Sequence, residues 1–301
     1  MEYYRVSESF FQDIKDYPFD SHYMDIDGLR MHYVDEGTGG SSTILLIHGV
    51  PTWSYLYRHI IPECSAAGNR VVAPDLMGFG KSDKPKKKED HTYRAHVEWM
   101  TLFIESLDLK RIVLFAQDWG VLIGLRLAAE NQERFAALIV SNGMLPTGDQ
   151  NLPLAFKAWK NFTRFSPWFP VDRIINNGAL RNLDKEEKRA YRAPFPSSKY
   201  KSGARALPGL VPVTPDDPAS QANRQAWEIL EKWNKPFHIV FSDSDPVTRH
   251  GEKYFQEKIQ SACHHKSVHG GHFIQEDAAS ELTTMIIGVA RSVVRRNVES
   301  T

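Results

Sequence analysis

The stretch Ile112-Val-Leu-Phe-Ala-Gln-Asp-Trp-Gly120 decides the reading of this 301-residue chain. A β-favouring apolar run leads into Ala116-Gln-Asp-Trp-Gly120, and a helix-compatible segment from Leu122 to Glu130 follows at once. Small residues two before and two after a central one are the layout of a nucleophile elbow, a tight strand-to-helix turn with no room for larger side chains. The central residue here is Asp118. The amino end of the following helix stabilises negative charge at the tip of the turn. An aspartate there is a carboxylate nucleophile, able to displace a leaving group from saturated carbon and form an alkyl-enzyme ester. An Asp after a strand can also serve only as a helix N-cap; the small flanking residues and the residues described below favour the nucleophile.

Outward from the elbow, the chain alternates strand and helix signals. Thr43-Ile-Leu-Leu-Ile47, Val71-Val-Ala73, Leu138-Ile-Val140 and Phe237 to Phe241 read as strands buried on both faces. An amphipathic segment such as Tyr93 to Leu107 lies between several of them. Met24 to Val34 alternates around Asp27-Gly28, which predicts a hairpin. The pattern predicts an α/β fold with a mostly parallel, doubly wound central sheet and helices on both faces. After Leu145-Pro146 the rhythm breaks, and no buried strand appears until Phe237. We read residues 1–145 and 231–301 as two parts of one core, and residues 146–230 as an inserted helical cap over the carboxyl ends of the strands, where open α/β sheets bind ligands.

Composition narrows the partners. Lys plus Arg and Asp plus Glu both number 37, so formal net charge is zero, and neither a nucleic acid nor an anionic membrane is expected. The run Lys84-Pro-Lys-Lys-Lys88 reads as a solvated loop. Gly78-Phe-Gly80-Lys81-Ser82 lacks the glycine spacing of a phosphate loop and reads as a turn. The two cysteines, Cys64 and Cys263, form no disulfide framework and show no metal-ligand spacing. Met1-Glu-Tyr-Tyr-Arg5 has no apolar signal core. The expectation is a cytoplasmic monomer with no metal and no cofactor.

Three further elements complete the elbow. Asp243-Ser-Asp245-Pro246 follows the strand ending at Phe241, and His269-Gly-Gly-His272 follows a candidate last strand, Cys263 to Val268. Nucleophile, acid and histidine thus occur in the chain order of α/β-hydrolases. His272, flanked by glycine at a strand-end loop, is expected to be the general base, with His269 as its rival. Asp245 opens a turn-initiating Asp-Pro pair and is expected to orient the imidazole, with Asp243 as the alternative. Ile47-His-Gly-Val50 ends an early strand, so the Val50 N–H can pair with that of Trp119 as an oxyanion hole.

His48-Gly-Val-Pro-Thr-Trp-Ser-Tyr-Leu-Tyr57, Asp75-Leu-Met-Gly-Phe-Gly-Lys-Ser-Asp-Lys-Pro85, Gln117-Asp-Trp-Gly120, Ala193-Pro-Phe-Pro196 and Gly271-His-Phe-Ile-Gln-Glu276 together resemble the haloalkane dehalogenases of the α/β-hydrolase superfamily. The resemblance spans nearly the whole chain and is strongest to the subfamily that holds halide between two tryptophans. It implies hydrolysis of a small halogenated aliphatic substrate by water, giving an alcohol, a halide ion and a proton. It also implies halide binding by Trp119, beside the nucleophile, and by Trp159 in the cap, with Trp168 as the alternative. Val50 stands where many members of that family carry Glu or Asn; valine offers no side-chain donor, but its backbone N–H remains. Phe156, Phe162, Phe165 and Leu210 are candidate pocket walls. The elbow is shared with epoxide hydrolases, in which cap tyrosines protonate the epoxide, so Tyr191 and Tyr200 keep that activity as the alternative.

Overall fold

The computed structural model describes residues 1–39, 42–151, 153–248 and 250–298. Eight strands form the main sheet: β1 (His22–Ile26), β2 (Leu29–Glu36), β3 (Thr43–Ile47), β4 (Arg70–Pro74), β5 (Ile112–Gln117), β6 (Phe135–Ser141), β7 (Phe237–Ile239) and β8 (Cys263–His264). Their order across the sheet is β8-β7-β6-β5-β3-β4-β2-β1. All neighbours from β4 to β8 pair in parallel; β2 runs antiparallel to both β4 and β1. The β1–β2 hairpin closes on Asp27 and Gly28, both at positive φ, with Ile26 opposite Leu29. That two-residue turn matches the strands' twist and is the one an Asp-Gly pair favours.

Every residue of β3 and β5 is buried. The cause is cover on both faces. On one side α2 (Tyr93–Ser106), α3 (Trp119–Glu130) and α8 (Ser220–Leu230) pack together; on the other, α1 (Ile60–Ala66) packs with α9 (Ala279–Val298). Helix α3 is buried along nearly its whole length, Arg126 included, because it is wedged between β5 and its neighbouring helices. An all-round apolar helix is stable only in such a slot.

Between β6 and β7 the described residues carry helices and no strand: α4 (Leu154–Phe165), α5 (Val171–Gly178), α6 (Lys185–Arg192), α7 (Ser202–Leu210) and α8. Asp184 caps α6, accepting from the N–H groups of Glu186 and Glu187 at 2.9 Å each, while Glu187 returns a bond to the Asp184 N–H. This reciprocal capping explains why so polar a segment holds a helix.

Two strand expectations shorten. β7 ends at Ile239 and β8 at His264, though ladder contacts continue, with Val268 N–H donating to Phe241 O at 2.9 Å. Both strands dissolve into loops where they deliver residues to the site. The expected solvated loop at Lys84–Lys88 is corrected at its first residue. Lys84 is fully buried, and its Nζ donates to the carbonyls of Gly80 (2.8 Å), Ser82 (2.9 Å) and Phe79 (3.3 Å). Lys84 and Pro85 pair with Tyr3 and Tyr4 in a small antiparallel ribbon, and of the four lysines in this run only Lys87 and Lys88 are exposed. Burial pushes the Lys84 ammonium down to about 7. Both cysteines are free, Cys64 buried and Cys263 exposed, and no helix among the described residues is long and apolar enough to cross a membrane.

Candidate active site

Asp118 adopts φ 54° and ψ −124°, a conformation an L-residue holds only under constraint. The constraint is steric on every side. A Cβ at Gly120 would stand 2.1 Å from Ile47 O, one at Gly49 would stand 2.4 Å from Asp118 Oδ1, and one at Gly143 would stand 2.6 Å from Val121 Cγ2. Backbone bonds fix the turn: Asp118 N–H donates to Asn142 O at 3.1 Å and Val121 N–H to Asp118 O at 2.9 Å. Gly49 and Gly143 belong to this requirement as much as Gly120 does; short-range spacing could reveal only Ala116 and Gly120.

The Asp118 carboxylate is divided between two partners. Its Oδ1 accepts the Val50 N–H at 2.7 Å. Its Oδ2 lies 3.5 Å from Nε2 of His272. On the other side of the ring, Nδ1 of His272 is 3.0 Å from Oδ2 of Asp245, which is fully buried and also accepts from the Val247 N–H at 2.7 Å and from the Thr248 hydroxyl. Asp243, the rival acid, is exposed and pairs instead with the rival histidine, His269, at 3.0 Å. The structure therefore sorts the four candidates into a buried pair facing Asp118 and a surface pair away from it.

Electrostatics follow from this geometry. Burial disfavours a charged imidazole, but the carboxylates of Asp245 and Asp118 outweigh it, and His272 is pushed up to about 10. For Asp245, burial acts to raise the carboxyl, yet the His272 charge and the hydrogen bonds from His272, Thr248 and Val247 prevail and hold it down to about 2.

Three residues that sequence reasoning left out hold these groups. His48 is buried, its Nε2 accepting the Leu76 N–H at 3.0 Å, so its Nδ1 donates to Gly49 O at 2.8 Å and steadies the Val50 turn. Asn142 donates to the carbonyls of Gly271 (2.9 Å) and His272 (3.1 Å), and its Oδ1 accepts the Ser242 N–H at 2.9 Å. Gln117 donates to His272 O at 3.0 Å. The signal available for Gln117 and Asn142 was position alone: a polar residue at or just beyond the carboxyl end of a buried strand.

Above Asp118 lies a cavity of about 390 Å³, lined mostly by apolar groups. Val50, Trp119, Leu122 and His272 come from the core, and Phe156, Trp159, Phe162, Ile174 and Val211 from the segment between β6 and β7. Trp159 stacks on Phe162 at 5.8 Å and lies 5.9 Å from Phe169, while Trp119 meets Tyr93 edge-on at 5.1 Å. Among the described residues neither indole N–H donates to a protein acceptor, so both remain available to a ligand. Trp168 is 57% exposed and borders a separate cavity. Two expected walls are corrected. Phe165 is 70% exposed, on the outward side of α4, and Leu210 gives way to its neighbours Pro208 and Val211. Tyr191 is buried with its hydroxyl donating to Glu276, Tyr200 packs against Tyr4, and no tyrosine lines the cavity among the described residues.

Comparison with known proteins adds four findings. A family model described as the alpha/beta hydrolase fold matches residues 42–279. The chain is 48% identical to a haloalkane dehalogenase of Psychrobacter cryohalolentis over 295 residues, covering 95% of this chain and 97% of that one. It is also 48% identical to haloalkane dehalogenase 1 of Mycobacterium tuberculosis, over 95% of this chain and 98% of that one. Among solved structures it is similar to the haloalkane dehalogenase DpaA of Paraglaciecola agarilytica, described as tetrameric, at a TM-score of 0.89 and 34% identity over 98% of each chain.

Proposed function

We propose a division of labour among the site residues on the premise that this chain belongs to the haloalkane dehalogenases of the α/β-hydrolase fold, enzymes that hydrolyse carbon–halogen bonds. Asp118 is the nucleophile. Its Oδ1 is occupied by the Val50 N–H, so Oδ2 attacks the halogen-bearing carbon in line with the departing halide. The carbon–oxygen bond forms as the carbon–halogen bond breaks, leaving an Asp118 ester and a halide ion. The indole N–H groups of Trp119 and Trp159 receive that halide. Each is a donor with no acceptor, carried on a large apolar body, so it binds an anion without wetting the cavity.

His272 is the base of the second half-reaction. In the resting site two carboxylates hold its proton. Alkylation removes the charge on Asp118 and with it one of those two supports, so the ring can release its proton and take one from water. The resulting hydroxide attacks Cγ of Asp118. The developing oxyanion sits on the Val50 N–H, already 2.7 Å from the same oxygen, with the Trp119 N–H as second donor. Asp245 orients the ring and stabilises its charged form. Collapse frees the alcohol and restores the carboxylate. Residues 146–230 act as the cap that closes this dry chamber, with α8 leaning on α3 through the Arg126–Asn223 bond of 3.3 Å.

The observation that carries this reading is the presentation of the Asp118 carboxylate, on a constrained turn, to an apolar cavity it shares with His272 and both tryptophans. Epoxide hydrolysis is not favoured, because the cavity offers no tyrosine hydroxyl to protonate the epoxide oxygen. The test offers 1,2-dibromoethane and styrene oxide to the wild type and to Asp118→Ala. Halide release by the wild type and none by the variant is expected; diol formation from the epoxide, or halide release by the variant near the wild-type rate, overturns the assignment. We also read the enzyme as a cytoplasmic monomer, and light scattering that returned a tetramer would reverse that part.

A further inference from the structure

We propose that His238, Cys263 and His265 form a zinc-binding site at the β8 edge of the sheet, outside the catalytic cavity. Cys263 and His238 are register partners on adjacent parallel strands, so their side chains share a face. His265 follows Cys263 by two residues, and its N–H continues the ladder to Ile239 O at 2.9 Å, which returns it to that face. One ring nitrogen of each histidine and Sγ of Cys263 all lie within 4.8 Å of one another; this is the one such group of potential ligands among the described residues.

Nδ1 of His238 and Nε2 of His265 already face each other at 2.9 Å. Two nitrogens on a tetrahedral zinc stand roughly 3.3 Å apart, given bonds of about 2.0–2.1 Å. The imidazoles thus need only a small separation, and the sulfur a rotamer adjustment that its exposed position permits. Two imidazoles and a thiolate suit zinc, with water as the fourth ligand. On binding, Cys263 gives its thiol proton to solvent, and the imidazole that donates across the histidine pair moves its N–H to the far ring nitrogen, with no net proton loss there. None of the three residues lines the substrate cavity. The ion would therefore clamp β7 to β8, the two strands whose following loops carry Asp245 and His272.

The test titrates the purified full chain with Zn²⁺ against a chromogenic chelator, and with Co²⁺ as a spectroscopic probe, comparing wild type with Cys263→Ser and His238→Ala. Expected results are one equivalent bound, a sulfur-to-cobalt charge-transfer band that Cys263→Ser abolishes, and affinity at least about tenfold weaker in His238→Ala. Zinc should also raise the melting temperature of the wild type and not of Cys263→Ser. Circular dichroism and bromoalkane turnover, expected at wild-type values in both variants without metal, show that they are folded. Absence of saturable binding, or binding that both variants retain unchanged, overturns the proposal without touching the dehalogenase reading.

Discussion

Nε2 of His272 lies 3.5 Å from Oδ2 of Asp118, while its Nδ1 is 3.0 Å from Oδ2 of Asp245. The first distance is at the limit of a hydrogen bond and the second is well within it. On the proposed mechanism, a ring held firmly through Nδ1 and loosely through Nε2 can turn Nε2 from the carboxylate to a water after Asp118 is alkylated.

His272→Ala should therefore complete the first half-reaction and stall before the second. Rapid mixing with a bromoalkane should give a burst of one halide per enzyme, then no further release. Mass spectrometry of the intact chain should show it heavier by one alkyl group. Sustained turnover near the wild-type rate would remove His272 from the role.

The protonation of His272 is predicted to depend on both carboxylates. Asp118→Asn deletes one of the charges that push the ring up to about 10, so its pKa should fall by at least about one unit, measurable by NMR titration of the ring protons. An unchanged value would separate His272 electrostatically from Asp118 and undermine the proposed coupling of the two half-reactions.

The same shifts set the sign of the stability profile. The folded pKa of His272 is raised, so its ion pairs stabilise the fold fully below the unfolded value of about 6.5, and that contribution is lost as pH rises through about 10. Asp245 runs the other way. Held down to about 2, it contributes above an unfolded value of about 3.9 and loses that contribution as pH falls through about 2. Urea midpoints of wild type minus Asp245→Asn should then differ most between about pH 4 and 6.5, where both contributions are complete, and the difference should shrink toward both extremes. A difference independent of pH would show that Asp245 acts by packing alone.

The elbow was legible because its requirement is local: Ala116 and Gly120 flank Asp118 within five residues, and the strand before it is apolar throughout. Asp27-Gly28 announced its hairpin for the same reason. Asp245 could be preferred over Asp243 only through its Asp-Pro pair, since the two share one loop; what divides them in the fold is burial beside His272 against exposure beside His269. Lys84 was misread because the carbonyls that receive its ammonium belong to the Gly78–Ser82 turn folding back around it. Composition cannot show that closure. Asn142 escaped for a similar reason, as its partners, Ser242 and the Gly271–His272 backbone, lie about a hundred residues or more downstream.

Glu276 joins the core to the inserted helices. Its carboxylate, fully buried, receives Nη1 of Arg58 at 2.6 Å and Nη2 at 2.9 Å, and also accepts from the Tyr191 hydroxyl and Arg181. Arg58 keeps Glu187 as a second partner at 3.0 Å. Glu276→Gln would leave the buried guanidinium undercompensated at a cost of about 3 kcal/mol. The change should lower the urea midpoint, speed proteolysis within residues 146–230, and raise KM more than it lowers kcat, because the cap walls shift while Asp118 keeps its own supports. Equal loss of both parameters with an unchanged cleavage pattern would exclude a tethering role.

Halide affinity provides the sharpest test of the two indoles. Trp159→Phe keeps an aromatic ring against Phe162 and Phe169 but deletes the N–H. Hydrogen bonds to charged groups contribute about 1.5–3 kcal/mol, so bromide affinity, followed by quenching of the remaining tryptophans, should weaken roughly ten- to hundredfold. Val50 borders the same cavity and supplies no side-chain donor. Val50→Asn adds an amide of similar size there, and in the Trp159→Phe background it should recover part of the lost affinity by offering a replacement donor. If Trp159→Phe binds bromide as the wild type does, the cap tryptophan is only a wall. If the single variant weakens binding and the added amide restores nothing, the halide sits on the far side of the Trp119 indole, out of reach of position 50.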